Sequence, residues 1–148
     1  DFRQRAVKFG RTPSFNVSFR PIIAPTEGQA WDKARRVLYD IENAGLPKRA
    51  QDKSAERMLK IAERGDVHDE RLWLPIAKAT GAKGNTTCLV GTPRQVADAM
   101  LRYYRLGVSS FLIRGFDPLE DTTEFGRELI PMVKQGALEI DRELAAAE

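Results

Sequence analysis

The stretch FLIRGFDPLED, Phe111 to Asp121, moves from apolar residues that read as a buried strand into an acidic, proline-bearing turn. Asp117-Pro118-Leu119-Glu120 has the form of a helix start: a side-chain oxygen to cap the first amides, then proline at the first helical position, where its missing N–H costs nothing. The same device stands at two other places. FNVSFRPIIAP is followed by Thr26-Glu27-Gly28-Gln29, and TTCLVG by Thr92-Pro93-Arg94-Gln95. Each has an apolar helical stripe behind it: Ala30, Ala34, Val37 and Ile41 after the first, Val96, Met100 and a tyrosine after the second, with Gly107 as its stop. Apolar strands alternating with helices of this length predict parallel pairing through right-handed crossovers, hence an α/β fold.

Composition narrows the function. Lys+Arg 24 against Asp+Glu 21 gives a formal charge of +3, with the basic residues scattered along helix-like segments, which does not point to nucleic acid. The single cysteine, Cys88, excludes an internal disulfide framework and reads as a small buried residue; it fits a reducing compartment, and the cytoplasm is the expected location. No apolar run approaches the roughly 20 residues that cross a bilayer. His68, alone among acidic neighbours, is not a metal site and is expected at the surface.

Between the first and second strand–helix units, Asn43 to Asn85 is too long for an ordinary connection and carries its own helical stretch, with Ser54 as the expected cap. Its glycines and lysines, TGAKGN, read as a mobile loop. Three parallel strands would leave both edges unpaired. The opening DFRQRAVKFGR also looks like the tail of a helix, so the chain is expected to be part of a larger α/β protein or to borrow strands from a partner.

LVGTPRQVADAMLRYYRLGVSSFLIRGFDPLEDTTEFGRELIPMV, together with FNVSFRPIIAPTEGQAW, resembles the C-terminal part of the bacterial luciferase-like flavin-dependent monooxygenases, closest to their alkanesulfonate branch. The resemblance implies the C-terminal portion of a TIM (β/α)8 barrel, about three β/α units with a helical insertion: 14–42, 43–87, 88–107 and 108–148 within a single partial domain. It implies reduced FMN from a separate flavin reductase, O2, and a small organic substrate such as an alkanesulfonate. It also implies that the principal catalytic His and Cys positions lie upstream, so no catalytic residue is assigned here and FMN is expected to bind poorly to this chain. A deazaflavin-dependent oxidoreductase of the same superfamily is the nearest alternative. A non-catalytic short relative retained as an association module is another, and a homo-oligomer fits either.

Site residues follow from the barrel rule that ligands meet the carboxyl ends of the strands. Alternation puts Asn16, Ser18, Arg20 and Ile22 on one face of the first strand. The family usually has arginine where Ser18 stands and histidine where Arg20 stands, so the cation is displaced along one face. Arg20 is read either as a contact to substrate or flavin or as an ion pair inside the barrel. Arg114, Gly115 and Phe116 form the other part of the mouth: Gly115 permits close approach, Arg114 offers a cation, and Phe116 replaces the tyrosine of the sulfonate-cleaving members and cannot donate a proton. Lys83, Gly84 and Asn85 fall where the resemblance implies a lid, although a solvated loop accounts for them better, loops being polar in any case. Trp31, Tyr103 and Tyr104 read as packing. Pro21 is unexplained within an interior strand, short of a bulge.

Overall fold

The computed structural model describes residues 2–45, 52–69, 71–84 and 86–147. In chain order the elements are α1 (Phe2–Val7), β1 (Asn16–Ile23), α2 (Glu27–Asn43), α3 (Lys53–Ala62), β2 (Val67–His68), β3 (Leu72–Trp73), α4 (Pro75–Thr80), β4 (Cys88–Gly91), α5 (Pro93–Arg105), β5 (Ser110–Ile113), α6 (Glu120–Glu124), a π-helical turn (Phe125–Leu129) and α7 (Ile130–Ala146). The fold class is the expected one, α/β, with parallel strands leading into helices.

The threonine caps work as their chemistry predicts. Thr92 and Gln95 form a reciprocal box, Gln95 N–H donating to the threonine hydroxyl at 3.3 Å and Thr92 N–H to the glutamine carbonyl at 2.9 Å. Thr26 accepts the Gln29 N–H at 3.3 Å. Asp117 differs from expectation: its Oδ1 accepts the N–H groups of Leu119 and Glu120 at 2.9 and 2.8 Å, but in a turn ahead of the helix, because α6 begins only at Glu120 with Leu119 at its N-cap, so Pro118 is not the first helical residue. The cap of α3 differs as well: Asp52, not Ser54, begins α3, its carboxylate accepting the N–H groups of Ser54 and Ala55, both at 2.8 Å. An aspartate two residues earlier outcompetes the serine because its charged oxygen is the stronger acceptor.

The sheet order is β2-β3-β4-β1-β5. β1 lies between β4 and β5, parallel to both, whereas chain order would put β4 in the middle. β3 runs antiparallel on the outer side of β4, so the stretch between units covers one edge and β5 remains the other. The two partners of β1 divide it. Asn16 to Phe19 pairs with Ser110 to Ile113, and Arg20 to Ile23 with Cys88 to Gly91.

That division accounts for Pro21. Successive residues of a strand turn their N–H groups to opposite neighbours. Arg20 N–H donates to Thr87 on the β4 side, so position 21 faces the β5 side, where the ladder closes with Arg114 N–H on the Phe19 carbonyl. Proline therefore costs no ladder bond. It leaves the chain beyond Arg114 without a backbone donor on β1 to meet, and β5 turns away there.

Both faces of the sheet carry core. Phe19, Ile23 and Leu89 pack with Val96, Met100, Phe125 and Leu129 beneath α5 and the π turn. Ile22, Cys88 and Val90 pack on the other face with Ala30, Ala34 and Ile76 of α2 and α4. The expectation that β5 is buried on both faces does not hold: Phe111 and Ile113 join the first core, while Ser110 is exposed and Leu112 is 51% exposed. Edge position explains this, because the helices of the second face cover β4 and the second half of β1, not β5.

Candidate functional site

Half-way along β1, where its partner changes, Arg20 reaches from the second face toward the turn after β5. Its guanidinium donates to the Gly115 carbonyl and lies over the Phe116 ring, with Cζ 4.8 Å from the centroid. A cation over an aromatic face is stabilised by the ring quadrupole, more so when partly desolvated as here. Three of the five predicted mouth residues, Arg20, Gly115 and Phe116, are thus brought into direct contact.

The other two stand apart from that contact. Ser18 is half-buried and contributes its carbonyl, which accepts the Thr87 hydroxyl at 2.6 Å. Arg114 is exposed at the end of the edge strand, and its side chain makes no hydrogen bond or ion pair with another described residue. Of the two arginines read as mouth cations, Arg20 is half-buried and Arg114 is exposed.

Gly115 owes its identity to a neighbour within the chain rather than to an approaching ligand. A Cβ there would sit 2.3 Å from the Asp121 Cβ, 2.6 Å from its Oδ2 and 2.9 Å from the Asp117 carbonyl. Asp121 is 3% exposed, and its Oδ2 accepts the N–H groups of Phe116 at 2.7 Å and Asp117 at 3.0 Å, while Oδ1 meets the Lys33 ammonium at 2.9 Å. Lys33 also reaches Glu124 at 3.5 Å. Burial alone would lower the lysine pKa, but its bonds to the two carboxylates outweigh that and raise it. Gly115→Ala is expected to destabilise the chain by about 2 kcal/mol through overpacking against a carboxylate that cannot withdraw. Urea unfolding checks it, and an unchanged midpoint would mean that the turn has room to yield.

A second polar cluster closes the carboxyl ends of β1 and β4. Arg71 donates to Glu27 at 2.6 Å and to the Val90 carbonyl at 3.2 Å, and Gln95 donates to the other Glu27 oxygen at 3.0 Å. The Arg71 hydrogen bond holds the Glu27 carboxyl below its ordinary pKa. Neither cluster was singled out in the sequence. The partners Lys33 and Asp121 are 88 residues apart, and the aspartate sits in an acidic run already accounted for by capping.

The expected lid residues lie between α4 and β4. Lys83 and Gly84 precede β4, at the amino end of the parallel strands, where Gly84 borders a groove of about 830 Å³ beside Ser18 and Tyr103. Asn85 lies outside the described residues. His68 is half-buried rather than exposed, its Nε2 2.8 Å from the Gly65 carbonyl. Trp31 packs edge-on against Trp73 at 6.2 Å, and Tyr103 against Phe19 at 5.2 Å. Among the described residues no group of His, Cys, Asp and Glu converges to hold a metal, and no helix is long and apolar enough to cross a membrane.

The carboxyl ends of parallel strands, an arginine held among them and the alternation of strand and helix are features of enzymes that bind ligands at strand ends. Comparison with known families gives the affiliation: residues 1–110 match the family described as luciferase-like monooxygenase. The chain belongs to that family. Its chemistry is therefore of the monooxygenase kind, for which the family generally uses reduced flavin. The match takes in Ser18, Arg20 and the Arg71 cluster and ends at Ser110, so Arg114, Gly115, Phe116 and Asp121 lie beyond it.

The surroundings of Arg20 do not on their own fit a flavin. The second face of the sheet, on which Arg20 stands, is filled by α2 and α4 down to Ile22, Cys88 and Val90, each no more than 1% exposed, which leaves no planar slot there. The groove of about 770 Å³ at the carboxyl end of β1 is lined by Lys33, Arg36, Asp117 and Glu124, a mixture of signs that favours neither a phosphate nor an ammonium.

Proposed function

We propose that this chain provides the C-terminal part of the substrate mouth of an FMN-dependent, two-component monooxygenase that oxidises an alkanesulfonate or a similar small organic molecule with O2, reduced FMN being delivered by a separate reductase. The observation that carries this reading is the family match together with Arg20, a half-buried guanidinium inside the matched segment that reaches from the middle of β1 to the turn after β5. A planar cation there suits a sulfonate or carboxylate better than a neutral substrate. Phe116 supports and orients this cation and cannot donate a proton. In this reading the catalytic groups come from strands that complete the barrel, the assembly is a homo-oligomer and the location is the cytoplasm.

Assembled with the polypeptide carrying those strands, with a reductase, FMN and a short alkanesulfonate, the chain is expected to support O2-dependent sulfite release. Arg20→Met should raise KM for the sulfonate by roughly ten- to a hundredfold, the range of one charge-assisted contact. Sulfite release with an unaltered KM would make Arg20 an internal packing residue. Turnover that requires a deazaflavin and proceeds without O2 would replace the monooxygenase reading.

A further inference from the structure

We infer that Asp121, held by Lys33, is a positioning residue that sets the orientation of the Arg20 guanidinium. The reasoning is that of a planar peptide. In the trans unit joining Gly115 and Phe116, the carbonyl and the N–H point in opposite directions. The Phe116 N–H is drawn to Asp121 Oδ2 at 2.7 Å, so the Gly115 carbonyl is turned the other way, where Arg20 donates to it. The next N–H, of Asp117, binds the same oxygen at 3.0 Å, which fixes the rotation of both peptide planes flanking Phe116.

The Phe116 ring is placed by the same two bonds, and it lies 4.8 Å from the Arg20 Cζ. One nitrogen on a carbonyl and one face on a ring constrain the tilt and direction of a planar guanidinium. Asp121 therefore acts on Arg20 through a single residue of backbone without touching it. Lys33 is needed because a carboxylate only 3% exposed must be neutralised as well as hydrogen-bonded. The absence of a Cβ at position 115 admits the carboxylate in the first place. Only the catalytic value of this arrangement rests on the proposed monooxygenase function.

NMR of the full chain reads the orientation directly, because the Phe116 ring displaces the Arg20 side-chain resonances by its ring current. Phe116→Leu removes the ring and defines the undisplaced position. In Asp121→Asn the Arg20 resonances are expected to move most of the way to that position, with amide shifts of β4 and α5 retained. Lys33→Met should shift them in the same direction and Lys33→Arg should restore them. Arg20 resonances unmoved in a folded Asp121→Asn chain would overturn the inference. If that variant does not fold, unmoved resonances in Lys33→Met overturn it instead. In the assembled enzyme Asp121→Asn should raise KM for the sulfonate with kcat little altered. Arg20 resonances that move while KM stays constant would uphold the positioning and count against the proposed substrate.

Discussion

Phe19→Ala is expected to destabilise the chain by about 3 to 5 kcal/mol, the range for truncating a buried phenylalanine, seen as a large fall in the urea midpoint. Phe19 is 2% exposed and joins four elements: it touches Tyr103 of α5 at 5.2 Å and Phe111 of β5 at 6.2 Å, over a floor that includes Phe125 and Leu129. A cavity bounded by a strand, a helix and a π turn cannot collapse by moving one of them. The edge strand β5 is held to the sheet by β1 alone, so loss of the Phe19–Phe111 contact loosens it further. Leu112→Ala is the matched comparison. That side chain is 51% exposed and should cost less than about 1 kcal/mol. Equal losses from the two substitutions would contradict the placement of β5 at an open edge.

What the sequence disclosed divides along a physical line. Thr26 and Thr92 were legible because a cap is satisfied within three residues, so the sequence holds all the partners; Asp117 was legible as a local acceptor, but of a turn ahead of the helix start. The α/β class follows from the same local units. Arg20 was legible as a cation on a strand face, and Phe116 as a ring at a strand end. Their contact was not, because it depends on β5 being adjacent to β1. Strand order also decided Pro21: no local pattern says which neighbour its missing N–H faces. Asp121 was hidden by a sufficient local explanation, the acidic turn as a cap, and its actual partners are a lysine on α2 and the backbone N–H groups of Phe116 and Asp117.

Stability should fall steeply in alkali, beginning near pH 9. Burial pushes the Cys88 thiol from 9.0 up to about 12, so above pH 9 the unfolded chain releases a proton that the folded chain retains. Wherever the folded state binds more protons, stability declines as pH rises, by about 1.4 kcal/mol per pH unit for each such group. Three further groups act in the same sense at higher pH, each by less than that slope because solvent screens its partners, Tyr104 contributing least. Tyr103, buried and bonded to Asp69, and Tyr104, bonded to Asp141, are both raised above 10.0, and Lys33 is raised above 10.5 by its carboxylate partners. The Lys33 contribution is complete below its unfolded pKa and disappears as pH passes the folded one, so it adds to the loss rather than opposing it. Urea midpoints from about pH 8 to about pH 11 should bend downward first near 9 and more sharply beyond 10. Cys88→Ala should lower the whole curve by the cost of a small cavity but remove the first bend, because no other raised group with an ordinary pKa near 9 remains among the described residues. A midpoint that stays level to about pH 11, or a first bend unaffected by Cys88→Ala, would show that the thiol is reachable by water and that the second core, closed by α2 and α4 over Cys88, opens more readily than its packing implies.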